Sequence, residues 1–303
     1  MPQKHLLVIC GPTASGKTSL SIQLAQHFDT EIVNADSRQV YHEMNIGTAR
    51  PTPEELAQAK HHLVDFLPVS QEYNAKQFEK DALVEIDKLF EKKNFAILAG
   101  GSGLYIRAVC EGFDEIPDID PNIRAQLNEE IKEFGLAKLL KELETTDPIY
   151  YGEVDKSNPQ RVLRSLEVKR GTGKPFSSYR NKKKAERPFN IIKIGLDRPR
   201  EELYERINLR MDLMLEAGLL EEAKSLYPFK ELNALQTVGY SEIFDFLDGK
   251  HDWEEAVRLL KRNSRRYAKR QMTWFRKEEG IRWFHPEHLP EIISFVENEM
   301  KID

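Results

Sequence analysis

Residues Gly11-Pro12-Thr13-Ala14-Ser15-Gly16-Lys17-Thr18 constrain the fold more than any other stretch. They match G-x-x-x-x-G-K-[ST]. Before them lies an apolar run, Leu6-Leu7-Val8-Ile9-Cys10, which reads as a buried parallel strand. After them, Leu20, Ile22, Leu24, Ala25 and Phe28 recur at helical spacing between Ser19 and Phe28. Glu31-Ile32-Val33-Asn34-Ala35 follows as a second strand and ends at Asp36. A strand, loop, helix and strand this compact predict a right-handed parallel crossover. The physical logic of the loop is anion binding. Glycines let the backbone wrap a polyphosphate with its N–H groups, and the next helix points its positive end at the charge. Lys17 adds a mobile cation, and the Thr18 hydroxyl suits Mg²⁺. The loop does not name the phosphate compound. ATP, another nucleotide or any pyrophosphate ester fits the same cradle.

Later runs extend the sheet: His62 to Leu67, Phe95 to Ala99 and Ile191 to Leu196, with an amphipathic helix over Asn74 to Lys92. The fold class is therefore α/β, a P-loop NTPase-like core with a parallel sheet flanked by helices. Residues 115–187 differ. They hold helical patterns at Ile123 to Phe134 and Gln160 to Arg170, with turn signals at Asp147-Pro148, Asn158-Pro159 and Gly171-Thr172-Gly173, and no convincing strand. We expect an all-helical insertion domain there, between two core segments at 1–114 and 188–303. Beyond Asp197-Arg198-Pro199 the chain reads as helical almost to its end. Glu201 to Ala217 and Trp253 to Lys277 are the long helices, and Gly218 is a C-cap for the first.

Charge is distributed unevenly. Lys plus Arg is 45 and Asp plus Glu is 50, a net −5. Residues 160–187 carry ten cations and two acids, and residues 261–277 carry eight cations and no acid, so each block is +8. The remainder is then −21, the pattern of a body that holds a polyanion locally and repels it elsewhere. Solvated helix faces would show the same pattern. Two cysteines, Cys10 and Cys110, make neither a disulfide framework nor a paired-thiolate zinc site. With no apolar run near the ~20 residues of a membrane span and no signal-peptide pattern, a cytoplasmic location is expected.

Several residues are candidates for chemistry. Asp36 ends a strand, so it belongs at the carboxyl edge of the sheet, where α/β proteins bind ligands. A carboxylate there serves as a base, a metal ligand or a plain turn residue. Ser37, Arg38 and Gln39 add polar groups beside it. The strand at Phe95 to Ala99 runs into Gly100-Gly101-Ser102-Gly103, where an ATPase would carry an acid. Arg206 and Arg210 share a helix face, either to hold a pyrophosphate or as a surface pair with Glu202 and Glu205. His61 and His62 point to opposite faces of a strand, so with Asp65 they are structural rather than metal ligands. On the helix at 261–277 the cations form a phosphate-facing stripe, while Met272, Trp274 and Phe275 dock it on the core.

The motifs together resemble the bacterial tRNA dimethylallyltransferases. The resemblance runs through Gly11 to Thr18, Asp36-Ser37-Arg38-Gln39-Val40-Tyr41, Met44 to Pro51, Gly100 to Tyr105, Asn158 to Arg164 and Ala268 to Arg276, in the family's order. It implies transfer of a dimethylallyl group from dimethylallyl diphosphate to N6 of adenosine 37 in the tRNA anticodon loop. The glycine loop would then hold the leaving diphosphate, with Lys17 and Mg²⁺ at Thr18 neutralising its charge. By the same resemblance Thr13 donates to the bridging oxygen, and Arg206 is chosen as a further clamp. Asp36 takes the N6 proton. Asp36, Ser37, Arg38, Gln39, Ser102, Arg124, Gln160, Arg161, Val162, Leu163 and Arg164 are expected at the tRNA. The two basic blocks would grip the anticodon stem–loop from two sides, and a single chain suffices, so a monomer without a protein partner is expected. A small P-loop kinase, an enzyme that prenylates free AMP and a non-catalytic RNA-binding protein are the alternatives.

Overall fold

The computed structural model describes residues 3–180 and 184–301. Of the basic block at 160–187, Lys182 and Lys183 lie outside the described residues. The chain divides into two compact units, Met1–Glu111 with Glu186–Asp303, and Gly112–Ala185.

The first unit is built on a six-stranded sheet. Its strands are β1 (His5–Cys10), β2 (Ile32–Asn34), β3 (His61–His62), β4 (Phe95–Gly100), β5 (Asn190–Leu196) and β6 (Ile281–Phe284). They pair in the order β3-β2-β4-β1-β5-β6, every pair parallel. β1 is central, with His5 opposite Phe95 on one side and Asn190 on the other. Helices cover both faces, as a parallel sheet requires. In this unit they are α1 (Lys17–His27), α2 (Pro53–Gln58), α3 (Ala75–Phe90) and α4 (Gly103–Glu111). The second unit is a helical array of α5 (Pro121–Phe134), α6 (Leu136–Thr146), α7 (Pro148–Glu153) and α8 (Pro159–Thr172). The chain then returns to the first unit for α9 (Arg200–Glu216), α10 (Leu219–Leu226), α11 (Ser241–Leu247), α12 (Trp253–Phe275) and α13 (Leu289–Glu299).

Period-two alternation assigns the strand residues to two cores. Leu6, Val8, Cys10, Val33, Ala96 and Leu98 face Phe78, Ala82 and Ile86 of α3, Val109 of α4 and Phe275 of α12. Leu7, Ile9, Ile32, Ile97, Ala99, Ile192 and Ile194 face Leu20 and Leu24 of α1 and Ile292 and Val296 of α13. A third cluster joins Val40, Tyr41 and Met44 to Met211, Leu219, Tyr240 and Phe244.

Two expectations need correction. The run His62 to Leu67 is not one strand. Leu63 and Asp65 adopt φ values of 59° and 56°, left-handed positions that end the extended chain after His62. It re-pairs only at Leu67, as a single bridge to Tyr41. The C-terminal region is not helical throughout, because Ile281–Phe284 adds a sixth parallel strand beside β5. Its signal was the short run Ile281-Arg282-Trp283-Phe284, rich in β-branched and aromatic residues, after Gly280, a residue at φ 76°. The glycine expected to close α9 is in place: Gly218, at φ 101°, follows the C-cap residue Ala217 in a left-handed conformation and leads directly into α10.

In the second unit, Asp147-Pro148 and Asn158-Pro159 are helix starts. Each acid or amide caps its helix and each proline takes the first turn. Asp147 also accepts from the Ser177 N–H at 2.8 Å. Arg170 ties α8 to α5 and α6 through Glu130 and Glu142, at 2.5 and 2.6 Å.

Candidate active site

The glycine loop leaves β1 at Cys10 and enters α1 at Lys17. Ala14 at φ 62° and Gly16 at φ 102° curl the backbone so that it closes into a cradle. Ser15 is fully buried within the loop, and its hydroxyl has no hydrogen-bond partner. Lys17 folds back over the cradle, donating from Nζ to the carbonyls of Pro12 at 2.7 Å and Gly11 at 3.0 Å. Loss of water and the nearby Arg210 push this ammonium down to about 8, against the opposing pull of Asp36 and Cys10.

α9 brings both arginines to the loop. Arg206 Nε donates to the Ala14 carbonyl at 3.0 Å, and Arg210 Nη1 donates to the Thr13 hydroxyl at 3.0 Å. Burial first, then Arg206, hold Arg210 below the ordinary guanidinium value, while Glu55 and Asp36 act the other way. Glu202, offered above as a surface partner for these arginines, instead pairs with Arg198. Arg198 supports the loop from behind, donating from Nε to the Ser15 carbonyl at 3.1 Å.

Asp36 stands beyond the end of β2. Its Oδ1 accepts from the backbone N–H of Arg38 at 2.9 Å and of Gln39 at 3.4 Å, so it shapes a turn. Its charge also reaches Lys17, Arg210, Tyr105 and Tyr267. The glycines after β4 make room beside it. A Cβ on Gly100 would lie 2.1 Å from the Ala35 carbonyl oxygen, so β4 crosses the end of β2 only with glycine there. Ser102 Oγ accepts from the Ser37 N–H at 2.9 Å and donates to Ser37 Oγ at 3.2 Å. Gln39 is committed elsewhere, its amide donating to the Thr48 and Ala49 carbonyls at 3.0 and 2.9 Å.

The segment from Met44 to Pro51 is held by one carboxylate. Glu222 accepts from the N–H groups of Asn45, Ile46 and Gly47 at 3.1, 2.8 and 2.9 Å, and from the Tyr240 hydroxyl at 2.7 Å. Sequence reasoning missed this role, and also that of Gln271 on α12. Gln271 accepts from the Thr13 N–H at 2.9 Å and donates to the Gly101 carbonyl at 3.0 Å.

α12 divides as its spacing requires. Ala256, Leu260, Ser264, Ala268, Gln271 and Phe275 are buried, whereas Arg266, Lys269 and Arg270, and Arg276 and Lys277 just past its end, are exposed. Phe275 enters the core and Trp274 packs at its edge, while Met272 is only half-buried. In the second unit, Arg124 pairs with Glu167 at 3.2 Å and donates to Gln160, and Arg164 pairs with the same Glu167 at 3.2 Å. Gln160 and Arg161 are exposed. Val162 and Leu163 point inward, at 0% and 2% exposure, and form part of that unit's core. Their side chains cannot meet an RNA. Arg187, counted in the same basic block, lies in the first unit and pairs with Glu79 at 2.6 Å.

Two histidine-bearing clusters are structural. His62 bridges Glu31 at 2.6 Å and Glu85 at 3.0 Å, and His61 bonds the Ala59 carbonyl at 2.8 Å. Glu202, His285 and Glu287 are the one group with metal-like spacing among the described residues. The Arg198 guanidinium already bonds both carboxylates, so that spot is occupied by a cation of the protein itself.

A cationic cradle beside a strand-end carboxylate, on a doubly covered parallel sheet, belongs to the P-loop group-transfer enzymes. Within that class, residues 39–278 match the family model described as IPP transferase, and the chain belongs to that family. A tRNA dimethylallyltransferase of Christiangramia forsetii is 52% identical over 297 residues, 98% of each chain. One of Cytophaga hutchinsonii is 50% identical over 298 residues, again 98% of each. The crystal structure of the full-length tRNA isopentenylpyrophosphate transferase of Bacillus halodurans is 37% identical, with a TM-score of 0.74, covering 99% of this chain and 97% of that one. A eukaryotic dimethylallyltransferase described as acting on tRNA is 29% identical with a TM-score of 0.74, covering 89% of this chain and 69% of its own. Among the described residues, no helix is long and apolar enough to cross a membrane.

Proposed function

We propose that this chain is a tRNA-modifying prenyltransferase that moves a dimethylallyl group from dimethylallyl diphosphate to N6 of adenosine 37 in the anticodon loop. The observation that carries the reading is that Arg210 bonds Thr13 of the cradle while Gln271 ties Thr13 to the Gly101–Ser102 loop that holds Ser37 beside Asp36, so the anion cradle and the strand-end carboxylate belong to one site. In this reading the N6 amine attacks the allylic carbon, the bond from that carbon to the diphosphate oxygen breaks, and Asp36 takes the proton that the amine gives up. The turn through Oδ1 fixes the carboxylate and leaves Oδ2 for the amine. Lys17, Arg210 and the first N–H groups of α1 stabilise the negative charge that grows on the leaving diphosphate.

Mg²⁺ fits the same cradle. The Thr18 hydroxyl is a hard oxygen donor, and the fully buried Ser15 hydroxyl without a partner marks a polar pocket in the same loop. Thr18 would hold the ion together with diphosphate oxygens, and the ion would supply charge neutralisation. The exposed cations of α12, and Arg161 and Arg164 of α8, are assigned to the RNA backbone. Extrusion of the target base is part of the proposal, because a stacked adenine cannot present its amine to a cleft. A single chain in the cytoplasm completes the reading.

The test is transfer of labelled dimethylallyl diphosphate in the presence of Mg²⁺ to unmodified tRNA, beside AMP and ATP. Label in tRNA is the expected result. Label in AMP would overturn the RNA assignment, and phosphoryl transfer from ATP would replace the reading with a kinase.

A further inference from the structure

Gln271 lies on α12, the helix that exposes the cations, yet its own side chain is buried, at 7% exposure. Its amide is fully directional. The carbonyl oxygen accepts from the Thr13 N–H, and the NH₂ donates to the Gly101 carbonyl. Thr13 belongs to the phosphate cradle. Gly101 precedes Ser102, whose hydroxyl holds Ser37, the neighbour of Asp36. One side chain therefore links the loop at the leaving-group end to the loop that braces the carboxylate at the acceptor end. The contact is sterically reserved. A Cβ on Gly101 would sit 2.5 Å from Gln271 Nε2, so the amide reaches this carbonyl only because residue 101 has no side chain.

We propose that Gln271 is a positioning residue for the transfer, setting the spacing between the phosphate cradle and Asp36. It touches neither reacting group, and it rests on the prenyl-transfer reading given above. Group transfer is steep in distance, and misplacing two reacting ends by about 1 Å costs on the order of a hundredfold in rate. Loss of the bridge should therefore appear in kcat, not in the binding of either substrate.

The experiment compares wild type with Gln271→Met, Gln271→Glu and Gly101→Ala in steady-state transfer from dimethylallyl diphosphate to tRNA, with melting curves alongside. Gln271→Met fills the same volume without either hydrogen bond, and kcat should fall roughly ten- to a hundredfold. KM for both substrates should stay within about threefold, since the binding groups themselves are untouched. Gln271→Glu keeps the acceptor for Thr13 and loses the donor to Gly101, so its kcat should lie between the two. Gly101→Ala should lower kcat with residue 271 intact, which separates the bridge from simple packing by Gln271. A normal kcat in folded Gln271→Met, or a loss confined to KM, would overturn the assignment while wild-type transfer to tRNA upholds the function. Absence of transfer by wild type itself would remove both.

Discussion

Arg210 donates from Nη1 to the Thr13 hydroxyl at 3.0 Å, whereas Arg206, one helical turn earlier, reaches only the Ala14 carbonyl. The two were not separable by spacing, and the sequence favoured Arg206 as the clamp. Geometry makes Arg210 the arginine whose charge is directed at a group proposed to touch the diphosphate. Arg210→Ala should weaken diphosphate binding about ten- to a hundredfold, the range for losing one charge-assisted hydrogen bond. Calorimetry with inorganic diphosphate measures it, and Arg206→Ala should have the smaller effect.

Lys17 supplies a pH signature. Held down to about 8 by burial and Arg210, it is a cation below that pH and neutral above it. Diphosphate affinity should fall as pH rises through about 8, and Lys17→Met should bind weakly with no such step. Stability moves the other way. The folded pKa lies below the ordinary 10.5, so the unfolded chain binds the extra proton between the two values. The Lys17 contribution to stability therefore rises from about pH 8 to 10.5. Denaturant titrations of wild type against Lys17→Met at several pH values would read the difference.

Arg161 and Arg164 form the exposed cationic edge of α8, with Arg164 only partly neutralised by Glu167. Replacing both by Ala should weaken tRNA binding and reduce its salt dependence, with diphosphate affinity intact. A filter-binding titration at several ionic strengths checks this. Val162→Ala, by contrast, should lower the melting temperature of the protein, since that side chain is core.

Glu222 accepts four hydrogen bonds from the segment Asn45 to Gly47 and from Tyr240. Glu222→Ala would leave three backbone donors without their acceptor and should cost on the order of 3 kcal/mol. Urea denaturation measures the loss. The conformation of residues 44–51 should change with it, visible as faster amide exchange there.

The β1, loop and α1 unit was legible because its local signals agree: a fully apolar strand, two glycines at special angles and a helical apolar face. The parallel sheet followed from the same kind of agreement. What was not legible depends on contacts distant in sequence. Sequence separations of 258 positions from Thr13 to Gln271 and 175 from Gly47 to Glu222 leave no periodic trace. The run from His62 to Leu67 misled because its apolar residues, Leu63, Val64, Phe66 and Leu67, suit a strand while the backbone at Leu63 and Asp65 is left-handed. Val162 and Leu163 were drawn into a surface motif by adjacency, although on a helix they fall on the buried side between Arg161 and Arg164.

The most direct test of the account is the nucleoside that receives the prenyl group, and its dependence on Asp36. Unmodified tRNA is incubated with dimethylallyl diphosphate, Mg²⁺ and either wild type or Asp36→Asn, then digested and analysed by mass spectrometry. The expected result is dimethylallyl on N6 of adenosine 37 with wild type. With Asp36→Asn, which keeps the turn acceptor but loses the base, formation should be about a hundredfold slower or worse at similar tRNA affinity. Modification at another nucleoside, or an unchanged rate in Asp36→Asn, would contradict the account.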